Sequence, residues 1–521
     1  VVLGGPNLGS WLVEEMWMMP FETKAPQGSD FEDIKDRATL WRTVEKRLGA
    51  AEMRRVRTAL RESWVTEADF DRIRAAGMNC VRLPVTYDLL EEPDGWTWID
   101  RCVAWAEKRG MYVILDLHGV PGRQSGSDHT GEAGVDRFFK EPALVEKAAA
   151  VWTKIAARYK DRSAVAGYDL INEPMSAPDP TTLYLVEDRL YRAVRAADPR
   201  HIVIFEDGYK GRDTFPRPAF AGWTNAVLSY HHYHFDSKSE ADQARAVSTA
   251  VADAARLQQS RQAPVYLGEF QLEPHGTPTT LEGALRDMQQ AGVSWSPWTF
   301  KAVMKGGGGG MWGWYRAPKA PDPIDPFRDS TDEMVRKLAQ VRTENLEENR
   351  GMTAAYHAAA GVVPLPPPTE VVPTSRQTAA RWRVTTEKPA DDWASFGFDD
   401  SGWQERPGGF GAGWTFAPPV RTEWKTADIW LRREVTLPEG TDFAKWAGWR
   451  LIACHDDDAQ VFINGVLAAD LPGYSHEYQE ATLTPEGKAA LKPGRNVIAV
   501  HCRSTVGGQF IDIGFSASRV P

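Results

Sequence analysis

Eight short apolar runs, separated by helix-like stretches over the first three hundred residues, constrain this chain most. They fall at 6–10, 79–84, 112–117, 165–171, 202–205, 226–230, 264–268 and 293–298. Between them, 67–76, 99–109, 143–159 and 183–196 carry apolar residues at helical spacing. Strands alternating with helices form a parallel sheet, and eight is the number that closes it into a (β/α)8 barrel. A barrel accounts for roughly 250–350 residues, so a chain of 521 has room for a second module.

Two glutamates end apolar runs: Glu173 in Tyr168-Asp169-Leu170-Ile171-Asn172-Glu173-Pro174, and Glu269 in Val265-Tyr266-Leu267-Gly268-Glu269-Phe270. In such barrels the chemistry sits at the carboxyl ends of the strands. Two facing carboxylates are what hydrolysis of a glycosidic bond needs. Arg82, Asp116, His118, His231, Tyr233 and Trp298 fall at other strand ends. An arginine or tyrosine donor beside a carboxylate favours its ionised form, histidines can bond sugar hydroxyls, and an indole can floor a sugar site. Asn172, next to Glu173, suits the sugar 2-hydroxyl, a contact that strengthens in the transition state.

Two connections are long. Residues 16–64 include the charged helical segment 33–61, and Gly306–Gly310 precede Met311-Trp312-Gly313-Trp314-Tyr315 as a tether whose aromatics either close over a sugar or form a surface loop. Segment 332–349 reads as a closing helix. Val362-Val363-Pro364-Leu365-Pro366-Pro367-Pro368 is a stiff extended linker. Beyond it, short runs between turns, with Asn464-Gly465 as a hairpin signal, predict an all-β, jelly-roll-like sandwich. The expected domains are a barrel over 1–361, a linker over 362–373 and a sandwich over 374–521.

The formal charge of −10 disfavours nucleic acid as a partner. No run is long and apolar enough for a membrane span. Cys80 and Cys102 read as packed thiols, and Cys454 with Cys502 could bridge. Asp456–Asp458 could hold Ca2+ or form a solvated acidic turn. The 21 tryptophans favour a carbohydrate ligand only modestly.

The ordered motifs resemble glycoside hydrolase family 5, and within it the exo-β-1,3-glucanase-like branch. They are Asn7-Leu8-Gly9-Ser10-Trp11-Leu12-Val13-Glu14-Glu15, Trp64-Val65-Thr66-Glu67-Ala68-Asp69-Phe70, Asn79-Cys80-Val81-Arg82-Leu83-Pro84, Asp116-Leu117-His118-Gly119-Val120-Pro121-Gly122, Asn172-Glu173-Pro174, His231-His232-Tyr233 and Gly268-Glu269. The resemblance implies Glu173 as acid/base and Glu269 as nucleophile of a retaining β-glycosidase. It implies that Arg82 and Tyr233 orient Glu269, that Asn172 and His231 support the reaction, and that Glu15, His118 and Trp298 bind the sugar. Ser10, Met16 and Pro297 depart from the branch's pattern. After the linker, Phe398-Asp399-Asp400-Ser401-Gly402-Trp403, His455-Asp456-Asp457-Asp458 and Phe462-Ile463-Asn464-Gly465 resemble a galactose-binding-like sandwich.

The expected substrate is a β-linked glucan or β-glucoside, with no metal and no cofactor. Rival readings are an endo-β-1,4-glucanase, a mannanase, a glycosylceramidase-like hydrolase and a non-catalytic carbohydrate binder. Secretion or a periplasmic location is expected, although no signal peptide is visible. The oligomeric state stays open.

Overall fold

A computed structural model describes residues 1–361, 369–416, 419–437, 443, 446–505 and 507–519. It divides into two compact units, Val1–Pro364 and Leu365–Pro521.

The first unit is a barrel of seven parallel strands paired in chain order: β1 (Cys80–Thr86), β2 (Tyr112–Gly119), β3 (Val165–Asp169), β4 (Ile202–Glu206), β5 (Ala226–His232), β6 (Val265–Phe270) and β7 (Ser294–Pro297). Buried valine, leucine and isoleucine dominate them, as expected of strands covered on both faces. The expected first strand, 6–10, is not a strand. Its segment forms single bridges, Gly4 to Trp295 and Asn7 to Arg82. Gly5 N–H donates to Trp295 O at 3.2 Å, Arg82 N–H to Pro6 O at 3.1 Å and Leu8 N–H to Arg82 O at 2.9 Å. Pro6 has no N–H to continue a ladder, so the ring closes through single contacts. Counted with this segment, β3 and β6 are the fourth and seventh staves.

Closure is tight at Gly5, where an added Cβ would lie 1.7 Å from the Cys80 carbonyl oxygen. Backbone cannot yield as a side chain does. Gly5→Ala is therefore expected to destabilise the barrel by about 3 kcal/mol, read as a lower melting temperature; an unchanged melting temperature would contradict this closure.

The segment expected as helical over 33–61 is two helices, Arg37–Leu48 and Ala50–Trp64, parted at Gly49. Buried Glu14 fastens the first of them, taking Arg37 Nε at 3.1 Å and Trp41 Nε1 at 3.1 Å. The predicted closing helix over 332–349 ends at Ala339, as Thr331–Ala339, and a separate helix, Arg350–Ala360, starts just after the segment with Asn349 as its cap. Between them Glu347–Glu348 pair with Tyr315–Arg316, so tertiary pairing overrides local helix propensity.

Among its described residues the second unit holds two six-stranded, largely antiparallel sheets. Trp382, Leu431, Leu451, Val461, Val500 and Phe515 are among the side chains of one core contributed by both. The predicted linker over 362–373 lies outside the described residues as far as 368. Thr369–Val372, within it, is a strand paired with Gln509–Arg519. Asn464 and Gly465, with φ of 52° and 93°, turn Asp458–Ile463 into Val466–Leu471. All four cysteines are free and buried, so Cys454 and Cys502 do not bridge. In the acidic trio, Asp457 Oδ2 accepts from Thr505 N–H at 2.6 Å and Asp458 Oδ1 from Gly473 N–H at 2.6 Å.

Candidate active site

Arg82 on β1 organises the carboxyl end of the barrel. Its fully buried guanidinium meets Glu269 at 2.7 Å, Asp169 at 3.0 Å, and Asp116 and Glu206 at 3.2 Å each. It also donates to Asn172 Oδ1 at 2.8 Å and Asn7 Oδ1 at 3.0 Å. Burial opposes its charge, but the four carboxylates outweigh burial and hold the guanidinium firmly protonated. The same burial pushes Asp116 up to about 7 and Asp169 up to about 6, against the pull of Arg82.

Glu269 lies in β6 with both oxygens engaged: Arg82 Nη1 donates to Oε1 at 2.7 Å and the Tyr233 hydroxyl to Oε2 at 2.7 Å. Glu173 follows β3 with φ of 42°, a left-handed conformation uncommon outside glycine. Its N–H donates to Glu206 Oε2 at 2.8 Å. Its Oε1 faces His231 Nδ1 at 2.9 Å and accepts from the Tyr209 hydroxyl at 2.8 Å. His129 Nε2 stands 3.6 Å from Oε2. Ligating atoms of Glu173, His231 and Glu269 lie within 4.8 Å of one another. Such a trio resembles a metal donor set, but both Glu269 oxygens already face an arginine and a hydroxyl, partners that suit an anion.

His118 Nδ1 sits 2.6 Å from Asp116 Oδ2, and burial holds this imidazole well below its ordinary pKa. Trp298 stacks on it at 5.6 Å and 16°. Asn172 turns its amide nitrogen toward His118 Nε2 at 3.4 Å and His129 Nδ1 at 3.3 Å. Glu15 takes Trp17 Nε1 at 2.8 Å on Oε2, while its buried Oε1 has no partner. Burial, reinforced by Asp128, Glu269 and Glu173, raises its carboxyl well above the usual range despite the Trp17 bond.

Of the aromatics after the glycine run, Trp312 packs on Tyr233 at 6.2 Å, Phe235 at 6.1 Å and Trp17 at 4.9 Å. Trp314 and Tyr315 are core residues instead. The glycine run is bonded back, with Gly308 N–H on Ala317 O at 3.0 Å.

The nine residues expected at the site thus gather at one end of the barrel. Glu206, His129 and Tyr209 were not anticipated. Glu206 ends β4 as Glu269 ends its own apolar run, and the predicted strand 202–205 stopped one residue short. His129 and Tyr209 sit on loops with no periodicity to mark them.

Residues 44–303 match the family model described as Cellulase (glycosyl hydrolase family 5). The protein named Probable glucan 1,3-beta-glucosidase A of Aspergillus niger is 29% identical over 284 residues, covering 52% of this chain and 65% of the relative. The chain therefore spans just under two thirds of that relative's length. A Beta-xylosidase of Phanerodontia chrysosporium is 32% identical over 245 residues, covering 45% of this chain and 48% of the relative. The crystal structure of rutinosidase from Aspergillus niger matches with a TM-score of 0.47 and 19% identity, over 58% of this chain and 91% of that one. Residues 44–303, which hold every one of these catalytic-face residues except Asn7, Glu15, Trp17 and Trp312, belong to the cellulase family, glycosyl hydrolase family 5.

Proposed function

We propose that the protein is a retaining β-glycosidase acting on β-linked glucans or β-glucosides, most like an exo-β-1,3-glucanase. The approach of the Glu173 and Glu269 carboxylates to within 4.8 Å carries this reading. Retaining enzymes place their carboxyl groups about 5–5.5 Å apart, whereas inverting ones leave room for a water at about 6.5–9.5 Å.

In this mechanism Glu269 attacks the anomeric carbon while Glu173 protonates the departing oxygen. Glu173 then draws a proton from water, which releases the sugar from Glu269. Arg82 and Tyr233 aim the nucleophile, and Asn172 offers its amide nitrogen to the 2-hydroxyl. The open Oε1 of Glu15 suits a terminal sugar hydroxyl, and Trp298, backed by His118, stacks on the ring. The β-1,3 preference and exo action draw on the named glucosidase relatives. No described helix is long and apolar enough to cross a membrane. A polymeric glucan, which cannot enter a cell, would support secretion or a periplasmic location.

Two measurements test the reading. Proton NMR of the first product of an aryl β-glucoside should show the β-anomer before mutarotation; the α-anomer first would reject retention. Product analysis on β-1,3-, β-1,4- and mixed-linkage glucans, mannan and xylosides should show monosaccharide first and fastest from β-1,3-glucan. An early ladder of oligomers would reject exo action.

A further inference from the structure

A general acid must have a proton within reach before the leaving oxygen arrives, yet Glu173 is surrounded by donors. The His231 bond and charge, His129 and the Tyr209 hydroxyl outweigh burial and hold its carboxyl below the usual range. Of these neighbours, His231 is placed to carry the missing proton. Its ring spans two carboxyl groups, with Nδ1 2.9 Å from Glu173 Oε1 and Nε2 3.3 Å from Glu206 Oε1.

We propose that the proton Glu173 delivers is shared with His231, and that Glu206 is the positioning residue that keeps it there. This rests on Glu173 being the acid/base. Glu206 grips both ends of the relay, because its second oxygen, Oε2, accepts the Glu173 N–H at 2.8 Å and so holds the left-handed backbone of the acid. Glu206 is itself fixed by Arg82 Nη2 at 3.2 Å, and its N–H donates to buried Glu187 Oε1 at 3.0 Å.

The charged surroundings favour the arrangement. Glu173, Glu206 and, at 3.6 Å, Glu269 face His231. Burial opposes its charge, but Glu206, Glu269 and the bond to Glu173 prevail and hold His231 well above its ordinary pKa. Around Glu206 stand Arg82, His231, Glu187, Asp169, Asp116 and Asp207. Burial lifts the Glu206 carboxyl to about 7 against the pull of His231.

A hydrogen bond, His231 Nδ1 with Glu173 Oε1, and a charged contact, Nε2 with Glu206 Oε1 at 3.3 Å, join the three groups, and the protonated ring brings one proton to each. In the first half-reaction the Glu173–His231 proton passes through the Glu173 carboxyl to the leaving oxygen, which also keeps the electron pair of the broken C–O bond. The Nε2–Glu206 proton stays in place. In the second half-reaction water attacks the anomeric carbon, the Glu269 carboxylate leaves with the electron pair of the glycosyl ester bond, and the water's proton refills the Glu173–His231 bond. No further reactant is consumed.

Glu206→Gln removes the counter-charge while keeping the shape. With an alkyl β-glucoside, whose leaving group needs a proton, kcat/KM should fall about 100-fold. With 2,4-dinitrophenyl β-glucoside, whose leaving group needs none, it should fall less than about threefold on the same argument. The alkaline limb of the pH profile should move to lower pH, because His231 then loses its proton sooner. His231→Asn, which keeps a donor toward Glu173 without a proton to pass on, should show the same leaving-group dependence and carries the test if Glu206→Gln does not fold. Equal losses on both substrates, or no loss on either, would overturn the proposal and leave Glu206 a structural residue. Glu173→Gln is the reference: if it shows no leaving-group dependence, the acid/base assignment fails rather than the relay.

Discussion

Glu269→Gln should lose on the order of 10⁴ or more in kcat on every β-glucoside, the scale seen when a nucleophile is removed from a working constellation. The amide cannot form the glycosyl ester, so no substrate escapes the loss, activated leaving groups included. Folding should survive: the amide oxygen can still accept from Arg82, and Arg82 keeps Asp169, Asp116 and Glu206 as counter-charges. A melting temperature near wild type beside abolished turnover is the expected pair of results. Glu269→Gly should regain activity on dinitrophenyl β-glucoside when azide is added. Azide would then attack from the vacated face and give the α-glycosyl azide, identifiable by NMR. Residual activity of Glu269→Gln within tenfold of wild type would remove it from the nucleophile's role.

Arg82→Met should damage fold and catalysis together. It strips the central cation from a fully buried cluster and leaves four carboxyl groups without their shared counter-charge. Removing one partner of a buried ion pair costs about 3–5 kcal/mol. Part of that loss can be avoided by protonation, since burial already lifts Asp116 to about 7 and Asp169 to about 6. The sign follows: with folded pKa values raised above the unfolded ones, protonating these carboxyls costs the native state less as the pH falls. The variant should therefore be least stable at neutral and alkaline pH and recover part of its stability near pH 5. Chemical denaturation across that range checks it; a pH-independent deficit would place the damage in packing instead.

The staves of the barrel were legible because burial on both faces makes continuous apolar runs, and the two catalytic candidates because a carboxylate closing such a run has little structural reason to be there. Where reading failed, the cause was local. Pro6 ends a ladder that the apolar pattern would continue. Glu206 stood one residue past a predicted strand, so a buried carboxyl with three functional partners passed for a loop residue. His129 and Tyr209 reach the site through loop geometry, which leaves no period to read. The segment 332–349 suited one unbroken helix, but its helix stops at Ala339 and Asn349 caps a new one that starts at Arg350. The strand Thr369–Val372 lay in sequence that resembled tether, and its pairing with Gln509–Arg519 is a contact too distant in sequence for composition to show.

The single contacts of residues 4–8 with β1 and β7 have a consequence for the newborn chain. Asn7 bonds to Gly268 O at 3.0 Å and Ser296 O at 3.2 Å, and it receives Arg82 at 3.0 Å. Residues 4–8 must therefore wait for nearly three hundred residues after them before all their partners exist, and contacts that far apart in sequence form late. Arg82, which holds the proposed nucleophile Glu269, rests on that last seam. A chain that stops before β7 would lack this seam, and with it the full setting that holds Arg82 beside Glu269.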